Sequence, residues 1–353
     1  MNVNKKNNRM EVFDVIRAIV IISAVIIHFD EKFGLGVLAL PSVFVQQRLF
    51  DVGSFFFFTS GYMAFKIYLP SMKENWKATT VRLCKKGAEI FALYVAYVVF
   101  MRFATGGLIP SDIYQFLFVH EFFNIVLFTF SIIFILSPCF MGLYVQAKPF
   151  FSGFTIFLFC IYAYVLHFGL PGQLQDGSVV GIMFGTGAKR LYYPVLPALL
   201  TYCLGLIFAS FRENKKYNDM LNVIPAPILL LFLIFYASLI VISKEYGGLI
   251  VSRMFFPLTA SVLIFIVLLC VERIVQIRKL HFVITNPSFL LLGRNTLVFY
   301  VTSNLLLGLM SLSKEGSLVF KSIMFIFMVS LAYLVAQWSY YSRNRNRVAS
   351  QND

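Results

Sequence analysis

Charge is what this sequence has least of. Charged residues make up 13% of its 353 positions and apolar residues 59%, where a soluble domain carries roughly a quarter charged. That balance excludes an ordinary water-soluble globule. Cysteine is sparse too. Cys84, Cys139, Cys160, Cys203 and Cys270 fall in apolar runs or basic segments with no CxxC pair, which excludes a disulfide framework and a zinc site, so no metal is expected. No internal repeat is visible. The Gly181, Gly185, Gly187 series neither follows a strand nor opens a phosphate-binding helix, which removes a dinucleotide site. Phenylalanine, by contrast, is abundant. Its 41 copies are spread along the whole chain, more rings than a water-facing surface can hide. The net charge of +14 does not indicate a nucleic-acid partner, because the basic residues stand in short groups between apolar runs and form no groove-lining stripe.

Apolar runs near twenty residues long are candidate membrane-spanning helices. They read as Val12–Phe29, Phe50–Leu69, Ala88–Ala104, Leu117–Pro138, Phe150–Phe168, Leu191–Phe211, Val223–Ser243, Ile250–Val271, Ser288–Met310 and Ser317–Tyr341. Continuous runs without strict alternation exclude a barrel, so the expected fold is an all-α integral membrane protein of about ten transmembrane helices. Val12–Phe29 reads as the first span and not as a cleavable leader, since no small-residue cleavage site follows. Eighteen Lys and Arg lie in segments that are cytoplasmic if the N-terminus is, against six in the outer ones. Both termini are therefore expected in the cytoplasm. The organisation read from this is a tail at 1–11, one ten-helix membrane domain at 12–341, and a second tail at 342–353. The stretch Gly169–Arg190 is expected to be a flexible outer loop and Arg343–Asp353 a disordered tail, with no soluble domain at either end.

Ionisable residues at membrane depth are costly, so they are the first functional candidates. The first span contains Asp14, Arg17 and His28. Eleven positions separate Arg17 from His28, about three full helical turns, so the two share a face ~17 Å apart along the axis. Asp14 lies three residues before Arg17, where it can hold the guanidinium. The face thus offers a cation toward one end and an imidazole toward the other; the bland alternative is a snorkelling Arg and a His bonded to a neighbouring helix. In Phe55–Tyr62, Ser60-Gly61 would let another helix approach closely. Arg82, Lys85 and Lys86 follow in a segment read as a loop. They are either a topology signal or a site for an anionic, phosphate-bearing ligand. Glu121, beside His120, and Arg253 stand at outer span ends, where they either line an acceptor pocket or pair at the interface. Arg102 is expected to snorkel, and Arg294 either anchors its span or binds something.

Taken in order, these blocks resemble acyltransferase family 3, membrane O-acyltransferases that modify bacterial surface glycans. The Arg, ten residues, His signature reads Arg17 to His28, after Phe13-Asp14. Phe55–Tyr62 is similar to the second-span block, and Arg82-Leu83-Cys84-Lys85-Lys86 to the basic pair after it. Leu292-Gly293-Arg294 through Tyr300 resembles the late Leu-Gly-Lys…Ser…Tyr block. Two features depart. Ser303 stands where the late block commonly has His, and Ala88–Phe91 lacks the usual Pro. The resemblance implies transfer of acetyl from cytoplasmic acetyl-CoA to a hydroxyl of a surface polysaccharide or its lipid-linked precursor. It implies catalysis by His28, Arg17 and Asp14, donor binding by Arg82, Lys85 and Lys86, and acceptor binding by Glu121 and Arg253. It implies a multi-pass protein of the bacterial cytoplasmic membrane whose partners are acetyl-CoA, the glycan acceptor and the bilayer, with no permanently bound cofactor and no set oligomeric state. The rival class is a polysaccharide transporter or flippase. Many such proteins show internal repeats and paired broken helices, and neither is visible in the sequence. A non-catalytic scaffold would leave the Arg17–His28 face unexplained.

Overall fold

A computed structural model describes residues 8–33, 52–104, 125–168, 179–184, 194–225, 227–229, 231, 256–275, 286–310 and 318–352. Almost all of them are helical and none is in a strand. Five helices are long and apolar enough to cross a membrane, or six if one bent pair counts as a single span. This is a multi-pass helical membrane protein.

In chain order the helices are α1 (Asn8–Phe33), α2 (Val52–Met63), α3 (Leu69–Glu74), α4 (Trp76–Ala104), α5 (Ile125–Gln146), α6 (Lys148–His167), α7 (Val179–Phe184), α8 (Val195–Glu213) and α9 (Lys215–Val223). They continue with α10 (Phe256–Val275), α11 (Pro287–Arg294), α12 (Thr296–Met310) and α13 (Leu318–Asn352). A π-helical turn, Ala64–Tyr68, joins α2 to α3. The chain divides into two compact units, Met1–Val52 with Leu268–Asp353 and, separately, Gly53–Val267.

In the first unit α1 and α13 run antiparallel. The Phe29 and Phe325 ring centroids lie 5.0 Å apart at the start of α13. α13 buries the small face Met328, Ala332, Ala336 completely and leaves Ile323, Phe327, Leu334 and Trp338 exposed. Residues four apart stack on one face of a helix, so one side of α13 packs on protein and the other is apolar and exposed, as suits a lipid-facing side.

The second unit is built around α8, which buries thirteen of its nineteen residues. Gly61 of α2 lies directly against the Tyr202 carbonyl of α8, and Gly205 against that of Phe58; a Cβ at either place would overlap backbone. The close approach expected of Ser60-Gly61 is therefore met by α8. Beside the crossing, Ser137 and Tyr202 join their hydroxyls in the buried interior, an arrangement that satisfies two polar groups where no water can.

The structure corrects several expectations. α5 runs to Gln146 through Pro138, where the fourth span was expected to stop. A proline costs less inside a membrane helix whose neighbours can re-satisfy the freed backbone. The ninth span is broken: α11 and α12 meet at Asn295 with a bend of 82°. Within the expected loop Gly169–Arg190, Val179–Phe184 are helical. The C-terminal tail, expected disordered, is the continuation of α13 to Asn352. Most of the seventh expected span lies outside the described residues.

Candidate functional site

α1 carries the ionisable residues of the expected first span, with Asp14 buried and Arg17 and His28 half-buried. Both ends of this helix are held. At the Asp14 end, Arg294 Nε donates to Asp14 Oδ2 at 3.0 Å, and Arg294 Nη1 reaches the Tyr340 hydroxyl at 3.4 Å. At the other end, Lys321 Nζ donates to the Phe33 carbonyl at 2.8 Å. A cation there complements the negative end of the helix dipole as well as an open carbonyl. The Arg17–His28 face thus belongs to a helix fixed at both ends by α11 and α13.

The broken span explains how Arg294 gets there. Asn295 ends α11 with its own N–H on the Leu291 and Leu292 carbonyls, at 3.0 and 3.2 Å. Its side-chain amide donates to Leu291 O at 3.2 Å. Thr296 Oγ1 donates to Gly293 O at 2.6 Å. These bonds occupy the carbonyls freed at the break, and α12 departs at a steep angle. Gly293 packs directly on the Asp14 backbone, so a Cβ there would overlap the Asp14 carbonyl. Contact this close lets the next residue, Arg294, grip the Asp14 carboxylate. From the sequence, Asp14 was matched with Arg17 on its own helix. The structure adds Arg294 from 280 residues away.

Three residues of this arrangement escaped sequence reasoning in their roles. Arg294 was left open, and Lys321 and Tyr340 were passed over. The available signal was Lys321 itself, a lone cation inside an apolar span, which calls for a partner.

Ser303 is buried, and its hydroxyl donates to the Tyr300 carbonyl of its own helix at 2.9 Å. Such a bond is local and replaceable. Ser303→Ala is therefore expected to leave both melting temperature and any activity near wild type. A severe loss of activity in normally abundant protein would instead make Ser303 a participant in the chemistry.

In the second unit, Arg82, Lys85 and Lys86 are helical, not in a loop. They occupy the early turns of α4 and are exposed. At 29 residues α4 is ~44 Å long against ~30 Å of hydrocarbon, so it has charged turns to spare. The three residues fall within about 100° of the helix circumference. Arg82 lies 5.6 Å from the Tyr68 ring centroid and Lys86 4.8 Å from that of Phe134. Among the described residues no carboxylate pairs with any of the three. Cations resting on rings keep their charge available to an anion. Lys66, on the π turn, is paired instead with Glu213.

Arg102 corrects another expectation. It is 7% exposed, enclosed by protein instead of snorkelling to the surface, as intramembrane cations facing a bundle interior are. Glu121 and Arg253 lie outside the described residues.

These features define a class: a multi-pass helical membrane protein that carries buried and half-buried ionisable side chains on one helix and holds that helix at both ends. The acyltransferase domain of acyltransferase family 3 matches residues 10–341, nearly the whole chain, and the chain belongs to that family. No curated protein and no solved structure matches it.

Proposed function

We propose that this protein is an O-acyltransferase of the bacterial cytoplasmic membrane, with ten spans and both termini in the cytoplasm. It moves acetyl from acetyl-CoA to a hydroxyl of a surface polysaccharide or its lipid-linked precursor. The observation that carries the reading is α1. In a chain of this family, Asp14, Arg17 and His28 sit on one helix held at Asp14 by Arg294 and at Phe33 by Lys321.

His28, in its neutral form, takes the proton of the acceptor hydroxyl. The hydroxyl oxygen attacks the thioester carbonyl, the C–S bond breaks, and the CoA thiolate leaves to be protonated. Arg17 supplies positive charge where negative charge develops, kept in place by the held helix. Arg82, Lys85 and Lys86 hold the donor's phosphates, and Glu121 and Arg253 the acceptor. Acetyl-CoA is a substrate, and no bound cofactor enters the scheme.

The deciding experiment incubates membranes with radiolabelled acetyl-CoA, with and without this protein, and follows label into surface polysaccharide. Label that appears only with the protein supports transfer. One observation favours the rival transporter reading, namely the discontinuous α11–α12 span, since broken helices line many transport sites. A transporter would change the amount of polysaccharide outside and leave its acetylation per sugar unaltered.

Replacing Arg82, Lys85 and Lys86 together with Gln is expected to raise the apparent KM for acetyl-CoA at least about tenfold, with little effect on acceptor use. Charge-assisted phosphate contacts contribute ~1.5–3 kcal/mol each, less when exposed as these are. An unchanged donor KM in normally abundant protein would reduce the cluster to a topology signal.

A further inference from the structure

α8 ends at Glu213, and a single residue, Asn214, separates it from α9. Asn214 caps both helices. Its N–H donates to the Ser210 and Phe211 carbonyls, each at 3.2 Å, and its side chain accepts from Lys216 N at 3.1 Å. α9 therefore starts where a helix long and apolar enough to cross a membrane stops.

Nine residues make α9 ~13 Å long, far too short to cross the bilayer. Its residues sort by face. At 100° per residue, Tyr217, Met220 and Leu221, with Ile224 just past the end, fall on one side and Lys215, Asn218 and Asp219 on the other, with Lys216 and Val223 on a flank between them. On the apolar side Met220 is 64% and Tyr217 43% exposed, while Leu221 and Ile224 are half-buried. Beyond Pro225, which ends the turn, Ile228 and Leu231 are again large, apolar and exposed. α9 is thus tethered between two apolar segments and presents a partly exposed apolar stripe of its own. Of its two cations, Lys215 and Lys216, neither is paired with a carboxylate among the described residues, Glu213 being taken by Lys66.

We propose that α9 lies flat on the leaflet at which α8 ends, its apolar stripe sunk to the acyl boundary and Lys215 and Lys216 on the phosphates of acidic phospholipid. This is how a short amphipathic helix with flanking cations binds an interface. The Tyr217 ring, 5.5 Å from that of Phe211, sits at the joint, where an aromatic with a polar tip suits the headgroup level. The proposal is independent of the acyl-transfer reading.

The test places spin labels at Met220→Cys and, in a separate chain, Asp219→Cys. The native cysteines are replaced except for the fully buried Cys203. The protein is reconstituted into bilayers of phosphatidylcholine with and without phosphatidylglycerol. The label at 220 is expected to be relaxed by oxygen and shielded several-fold from a water-soluble nickel chelate, and the label at 219 the reverse. Phosphatidylglycerol should deepen the shielding at 220, and K215Q/K216Q should abolish that increment. Equal access of the chelate to both labels would place α9 in water and overturn the proposal. Dipolar broadening between labels on two chains would put a second copy on the stripe and overturn it as well. Shielding that ignores both phosphatidylglycerol and K215Q/K216Q would remove the acidic headgroup as its ligand.

Discussion

Replacing His28 with alanine is expected to lower acyl transfer by at least about 10²-fold, the usual worth of a general base, while leaving the protein inserted and abundant. The side chain is half-buried on a helix that α11 and α13 hold independently of it. Truncation therefore removes the imidazole without releasing α1. His28→Gln is the sharper variant, since the amide keeps hydrogen-bonding capacity but takes no proton at neutral pH. Initial rates of label transfer, normalised to protein in the membrane, read the effect. Near-normal transfer by the Gln variant would make His28 a packing residue and move the search for the base to Glu121.

The second large effect is expected at Arg294. Its partner Asp14 has a side chain only 9% exposed, whereas that of Arg294 is 43% exposed. Arg294→Ala therefore withdraws the Nε donor from a carboxylate that water reaches poorly. Losing a charged hydrogen bond of this kind costs about 1–3 kcal/mol, toward the lower figure because the guanidinium is partly solvated. Transfer should fall further than stability alone explains, roughly tenfold at saturating donor, because α1 loses one of its holds at the Asp14 end and small misplacements of reacting groups are costly. Arg294→Lys should recover part of the loss. It restores the charge but cannot address Asp14 and Tyr340 together, as a guanidinium does. Thermal melting of the purified protein, together with transfer rates, separates the two contributions. An Arg294→Ala protein that melts and transfers like wild type would show that the Asp14 contact fixes nothing.

Periodicity and hydropathy located most of the described helices because a membrane makes apolar length a strong signal. α6 and α8 lie within a few residues of Phe150–Phe168 and Leu191–Phe211. The same signal misled where polar chemistry is folded into a helix. Arg82, Lys85 and Lys86 look like a loop by charge, yet Arg and Lys are good helix formers, and a long helix can carry them past the hydrocarbon. The break at Asn295 was hidden because Leu290 to Met310 stays apolar on both sides of it; only the Gly-Arg-Asn-Thr sequence marks it, and that was absorbed into a motif. At the site, Asp14, Arg17 and His28 were legible as charges that a membrane would not otherwise tolerate. The contact from Arg294 to Asp14 was not, because no local rule specifies which of many distant cations a buried carboxylate will meet.

The length of α13 has a practical corollary. Thirty-five helical residues extend ~52 Å, some 22 Å more than the hydrocarbon requires. A fluorescent reporter joined to the end of this helix would stand on a stiff stalk and not on a tether. Its anisotropy should decay with the slow tumbling of the membrane particle. Each residue deleted from the stalk would lower the reporter by ~1.5 Å and swing it through ~100°, so energy transfer to a fixed acceptor on the protein should oscillate with the helical period instead of falling smoothly.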